Sequence, residues 1–414
     1  MKFIISFFII SLILTGTSCQ QEEEINSENN SIELDEKSVQ LVNADNAFGF
    51  ELFRNIYAEE TEHQNIMISP LSVALALAMT YNGANGETQT AMEKTLKVYG
   101  LTSEEINTSY AFLVKALKSL DPKVLLEIAN AIYYRQEFQV ENNFITANRN
   151  YYEAEVEALD FWSPAALKTI NGWVADKTHD KINSIIDEIT PENVMFLLNA
   201  IYFKGIWHTT FKEENTVEIP FYTENGSATN VPTMQKSDAV SYTSNDLFSA
   251  VQLPYGDGNY NMQLFLPHPD HSVKDIVDQL DPENWATWMD SFGDSVNVDL
   301  QIPKLKYKYE IKLNDVLGDM GMGIAFDGFR ADFTGINREG ELYIDYVKHK
   351  TFIEVNEEGT EAAAVTVVAI SKLSAGSAQN IPFYVNRPFF YTITEKDTGA
   401  MLFMGTVKNP QSEK

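Results

Sequence analysis

The sequence predicts a mixed α+β domain with a large, mostly antiparallel sheet. Apolar residues at helical spacing dominate the first third of the chain, and apolar strand-like runs dominate the rest. That order, helices first and strands later, is the mark of an α+β layout. A hydrophobic fraction of 44% with 12% aromatic residues is enough for a large core. Length alone, 414 residues, suggests two or three domains.

The elements follow in chain order. From Asp45, NAFGFELFRNIYAEE puts Phe48, Leu52, Phe53 and Ile56 on one helical face. NIMISP reads as a short strand ending at Pro70. PLSVALALAMTYNGANGET reads as a buried helix, with Ser69 and Pro70 at its start and Gly83 near its stop. Further helices are expected over 103–120, 141–152 and 165–179. Strands are expected at LLEIANAIYY, VMFLLNAIYF, YNMQLFLP and VNVDLQIPKLKY, then at LYIDYVKHKTFIEVN, FYVNRPFFYTIT and MLFMGTV. No repeat of fixed period stands out.

The N-terminus is read as targeting sequence. Lys2 precedes the apolar run FIISFFIISLIL, which is too short to span a bilayer but suits a signal peptide over residues 1–18. Small residues lead to Cys19, the only cysteine. This resembles a bacterial lipoprotein signal in which Cys19 is lipidated, although Gly16 stands where such signals favour Leu. The alternative is an ordinary secretory signal with an incidental cysteine. With Cys19 lipidated no thiol remains for disulfides, so packing alone holds the fold. Residues 19–44 are expected to form an acidic tether, since 20–40 hold seven acidic residues and one Lys. Acidic residues soon after Cys19 resemble the surface-export signals of Bacteroidetes-type lipoproteins. The implied location is the bacterial cell envelope, as an outer-membrane lipoprotein exposed at the surface. The formal net charge of -29 argues against nucleic-acid binding and favours solubility.

No enzyme signature is present. The six histidines include no HExxH, and the chain has no GxSxG, P-loop or CxxC. His268 and His271 in HPDH lack a third ligand, so a polar turn is expected there and no metal or cofactor.

One segment resists the ordinary reading. EEGTEAAAVTVVAIS, residues 357–371, becomes small, then β-branched, and is uncharged after Glu361. Such a strand is either core or an aggregation hazard. With a period of two, Thr360, Ala362, Ala364, Thr366, Val368 and Ile370 face one way, and Glu361 faces the other. The segment is therefore compatible with burial in a sheet.

EEGTEAAAVT resembles the hinge of the reactive loop of the serpin family. NIMISPLSVALALAMTYNGANGET, NAIYFKGIW, ADFTGI, FYVNRPFFYTI and LFMGTVKNP are similar to further family stretches, in the family's order, over roughly residues 45 to 410. The resemblance implies one domain over 45–414, three β-sheets with about eight or nine helices, and an exposed reactive-centre loop at about 357–381. It implies an inhibitor rather than an enzyme. A protease attacks a bait bond, forms an acyl-enzyme, and is trapped when the cut strand enters the main sheet. Family spacing puts the bait bond at Leu373–Ser374. Leu373 suits chymotrypsin-, elastase- or subtilisin-like serine proteases, and use of the adjacent Lys372 would suit trypsin-like ones. Papain-like cysteine proteases are a further target class in the family. The implied hinge is Glu357, Glu358, Gly359, Thr360, Glu361, Ala362, Ala363 and Ala364. Ser69, Ser72, Asn199 and His349 fall at shutter positions under the sheet centre, and Trp207 falls at the breach where insertion begins. Their plain readings are a helix N-cap, a satisfied core histidine and core packing. The expected state is a monomer. A non-inhibitory member, acting as a binding protein or chaperone, is the alternative.

Overall fold

The computed structural model describes residues 31–60, 64–360 and 380–411. The signal segment, Cys19, most of the expected tether, Glu361, Ala362, Ala363, Ala364, Lys372, Leu373 and Ser374 lie outside them. The described residues belong to one compact unit, Ser31–Lys414.

In chain order the first half contains α1 (Glu36–Glu59), β1 (Ile66–Ile68), α2 (Pro70–Tyr81), α3 (Gly86–Thr95), α4 (Ser103–Ser119), β2 (Val124–Arg135), α5 (Asn142–Tyr152), β3 (Glu155–Leu159), α6 (Pro164–Lys177) and β4 (Met195–Ile206). Then come β5 (Val217–Tyr222), β6 (Ala228–Ser244), β7 (Phe248–Tyr255), β8 (Tyr260–Pro267), α7 (Val273–Asp278), α8 (Pro282–Asp290), β9 (Ser295–Pro303) and β10 (Leu305–Lys312). The chain closes with α9 (Asn314–Leu317), β11 (Lys348–Val355), β12 (Gly359–Thr360), β13 (Ile381–Tyr384), β14 (Phe389–Glu395) and β15 (Met401–Val407).

The helices start where side chains can satisfy the free backbone amides. The Asp35 carboxylate accepts from Ser38 N at 2.7 Å, so α1 begins at Glu36. Residues 36–44, expected as tether, are therefore helix. The acidic run just upstream hid Leu41, Val42 and Ala44, which are buried. Ser69 caps α2, with Pro70 in its first turn. Apolar on nearly every face, α2 is a core helix that packs against both β4 and β15. Thr102 and Glu105 form a capping box on α4.

The main sheet has the order β10-β11-β12-β4-β2-β3. Its longest ladder is the antiparallel pair β2 and β4, in register from Val124↔Gly205 to Tyr134↔Met195. The second sheet runs β1-β15-β14-β8-β7-β6-β9-β13, with β5 paired to β6. The long strand β6 joins what the resemblance implies as two separate sheets. It pairs β7 at its C-terminal end and β9 and β5 along the rest. Phe203 of the main sheet meets Tyr255, Tyr260 and Phe403 of the second, edge to face. On the opposite face of the main sheet, Ile170, Trp173 and Val174 of α6 cover Ala131, Tyr133, Phe196, Leu198 and Ala200.

Several expected strands divide or shorten. VNVDLQIPKLKY becomes β9 and β10, in different sheets, with Lys304 between them. FYVNRPFFYTIT becomes β13 and β14, because Pro388 cannot donate to a ladder. Only residues 348–355 of LYIDYVKHKTFIEVN are strand.

Candidate functional site

The main sheet is parted at its centre. Among the described residues β4 and β11 share no ladder, and only the two residues of β12 join them. A cavity of about 200 Å³ lies along this seam. Met195–Asn199 of β4 and Lys348 and His349 of β11 line its sides, α2 contributes Ser72 and Val73, and Ile185 and Ile186 cover it. A smaller cavity, about 20 Å³, lies nearer Thr360, between Phe203 and Ile353.

The hinge sits at the top of the seam. Gly359 pairs with Ile206 and Thr360 with Gly205 on β4, while Thr360 also faces Val355 of β11. Gly359 has φ +153°, and a Cβ there would strike the Gly205 carbonyl and come within 2.7 Å of Ile206 Cα. Thr360 is buried, and its hydroxyl lies 2.5 Å from the Tyr255 hydroxyl. The inward direction expected for Thr360 is therefore observed. The expectation that the whole strand starts outside is corrected at its first position, because Thr360 is already seated in the sheet.

Glu357 anchors the hinge from the other side. Its carboxylate accepts from Lys304 Nζ at 2.7 Å and from Thr216 Oγ1 at 2.7 Å. Burial alone would raise this carboxyl, but those two hydrogen bonds outweigh it and hold it below its ordinary range. Phe211 N donates to Glu357 O at 2.8 Å, and Trp207 N donates to Glu358 O at 2.7 Å. Trp207 Nε1 donates to Asn356 O at 3.0 Å, and the indole stacks on Tyr255 at 4.4 Å. Trp207 is thus both packed core and a direct tie to the hinge.

The predicted shutter residues also meet. Ser69 N donates to His349 Nε2 at 3.0 Å, and Ser72 N donates to Ser69 Oγ at 3.2 Å. Ser72 Oγ donates to Asn199 Oδ1 at 2.5 Å. Burial pushes the His349 imidazole down to about 4, so it is neutral at pH 7 and accepts at Nε2. The N-cap of α2 and the satisfied histidine together tie α2, β4 and β11 beneath the seam.

Sequence reasoning missed five partners. Asn130 extends the polar chain, accepting from Asn199 Nδ2 at 2.7 Å and donating to Tyr152 O at 2.7 Å. A signal for it existed: NAIY occurs at both 130–133 and 199–202, and Asn130 lies directly across from Asn199. Tyr255, Thr216 and Lys304 had no such signal, because each meets the hinge only through the fold, whereas Asn356 directly precedes Glu357 in the chain.

Hinge, seam and polar chain define a class: single-domain α+β proteins whose main sheet is parted at its centre beneath a glycine hinge. The chain belongs to the serpin (serine protease inhibitor) family, whose model matches residues 43–410. Intracellular coagulation inhibitor 2 of Tachypleus tridentatus is 32% identical, over 97% of each chain. The thermophilic serpin tengpin in its native state superposes with TM-score 0.81 at 33% identity, covering 92% of this chain and 96% of the other. Human thyroxine-binding globulin, solved in complex with thyroxine, gives TM-score 0.81 at 27% identity, covering 90% of this chain and 99% of the other.

Proposed function

We propose that this chain is an inhibitory serpin that traps proteases covalently. The supporting observation is the seam between β4 and β11, closed among the described residues only by Gly359 and Thr360 and lined by cavities down to the polar chain. A strand in that seam would acquire ladder partners on both sides. Residues 360–373 would span roughly 48 Å as a strand and carry an acylated protease a comparable distance. About a dozen ladder hydrogen bonds at ~1 kcal/mol net, with burial of Val368 and Ile370, supply on the order of 10 kcal/mol. Displacing catalytic groups by about 1 Å costs ~100-fold in rate, so deacylation stalls.

The bait bond is Leu373–Ser374, and the targets are chymotrypsin-, elastase- or subtilisin-like proteases. Cleavage after Lys372 would add trypsin-like ones. Incubation with chymotrypsin- and trypsin-like proteases should give an adduct that survives SDS. Mass spectrometry of the released C-terminal fragment identifies the bait residue. A cut loop beside fully active protease would instead indicate a non-inhibitory binding protein. The chain is anchored to the bacterial envelope through lipidated Cys19. Cys19→Ala should release it from membranes, and retention there would remove the anchor.

A further inference from the structure

We infer that the turn at residues 327–330, with Phe329 at its tip and Tyr343 beside it, docks on the lipid surface next to the Cys19 anchor and turns the hinge end of the molecule away from that surface. The inference rests on the proposed anchor and adds an orientation to it.

Phe329 is fully exposed, more so than any other large apolar residue described. A rigid turn holds it there. Phe329 N donates to Asp327 Oδ1 at 2.9 Å, and Arg330 N and Ala331 N donate to Asp327 O at 3.1 and 2.9 Å. Asp332 ties the turn to α3 and the residue before it. Its O accepts from Asn85 N at 2.9 Å, and its N donates to Thr88 Oγ1 at 2.9 Å. Gly328 packs on the half-exposed Tyr343 ring, which a Cβ there would approach to 3.2 Å. An apolar ring projected into solvent in this way is stabilised only where another apolar surface meets it.

The start of α1, where the tether ends, lies at the same end of the molecule. Lys37 Nζ pairs with Glu105 Oε1 of α4 at 3.2 Å, and Gln40 Nε2 donates to Tyr99 O at 2.7 Å. Tyr81, the last residue of α2, sits beside both Ser103 of α4 and Gln89 of α3. Glu87 of α3 in turn pairs with Arg330 at 3.5 Å. The first turns of α1, α3 and α4 thus converge on the 327–332 segment. Residues 19–30 reach at most about 43 Å, so an acylated Cys19 keeps this end close to the bilayer. The hinge lies at the other end. β11 separates Tyr343 from Gly359, and Lys348–Val355 span roughly 25 Å.

The surface that fits carries no net charge. With a formal net charge of -29 the body is repelled by anionic lipid, whereas phosphatidylcholine headgroups are zwitterionic. Phe329 and Tyr343 suit the headgroup–acyl boundary, where aromatic rings settle. The exposed Arg330 and Arg338, partners of Glu87 and Glu141, offer further donors to headgroup phosphates. One ring binds a bilayer too weakly to hold a free protein. A tethered body meets the surface at effectively millimolar concentration, where a weak contact is occupied.

The test uses full-length, acylated protein in phosphatidylcholine vesicles. Cys19 is the only cysteine, so Arg330→Cys gives a single free thiol for an environment-sensitive fluorophore. The Arg330–Glu87 pair is exposed, and its loss leaves the fold intact. On the vesicles the 330 label should brighten about threefold and shift to the blue. The same label on Glu214→Cys, an exposed site two residues before the Thr216 that binds Glu357, should report water. Adding Phe329→Ser to the Arg330→Cys protein should return its label to the water value while the protein still floats with the vesicles. A 330 label that reports water, or one indifferent to Phe329→Ser, would overturn the docking and leave the anchor standing. A shift seen only on native envelope membranes would make the occupant a protein, which also overturns it. Protein that fails to float with the vesicles would remove the anchor, and the docking with it.

Discussion

Thr360 shows how much one side chain decides. It is the first residue of the proposed strand, it is buried against Tyr255, and it is in register between β4 and β11. An arginine there would have to bury its guanidinium in place of a small hydroxyl bonded to Tyr255, at a cost of several kcal/mol. Thr360→Arg should therefore still be cut by the target protease but release it. The SDS-stable adduct should fall roughly tenfold or more, as a barrier increase of that size implies. Undiminished adduct in a densitometric gel would sink the role given to Thr360. Its inward direction was legible from period two alone, since neighbours alternate faces. The Glu357 anchor was not legible, because Lys304 and Thr216 reach it from positions far away in the chain.

Between elements, the packing of α1 on α4 carries a titratable joint. Asp45 of α1 accepts from Tyr110 Oη of α4 at 2.6 Å, and its Oδ2 is buried without a partner. Burial pushes this carboxyl up to about 7, against the smaller lowering effect of the Tyr110 bond. A folded-state value above the unfolded one means that stability is full below about 4 and is lost as pH rises towards 7. The loss is on the order of a few kcal/mol. Buried His349 acts with the opposite sign, since its lowered value costs stability as pH falls from about 6.5 towards 4. Asp45→Asn should raise the melting temperature at pH 8 by on the order of 2 °C or more and change it little at pH 4. The variant's remaining slope below pH 6.5 should rise with pH, the His349 signature. Calorimetric scans across that range check both, and an equal shift at pH 4 and pH 8 would refute the titration. Element boundaries were legible where a cap or a long apolar run marked them, as in α2, α4, β2 and β4. They were hidden where polarity masked pairing. β6 is half exposed and contains Pro232, β3 is an acidic edge strand, and α7 has only 6 residues.

For the whole molecule, the parted sheet is the property that local pattern could not reveal. Hydrophobic periodicity marks which residues can form strands, but not which two strands will lack a partner. Only the ordered set of family stretches pointed there, and the cavities along β4 and β11 supply the physical form. The thermodynamic consequence is specific. In the uncut chain the loop must close back onto β13, whose Ile381–Tyr384 pairs in parallel with β9 in the second sheet, so a fully seated strand would pull against that fixed end. Cutting at the proposed Leu373–Ser374 bond would remove the constraint and let the seam fill. On the order of 10 kcal/mol of new ladder and burial would raise the melting temperature by roughly 20 °C or more, at the 2–4 °C per kcal/mol of mid-sized domains. Limited cleavage at that bond followed by a thermal scan measures the shift directly, and a cut protein that melts where the intact one does would leave the sheet with no stored free energy to drive a trap.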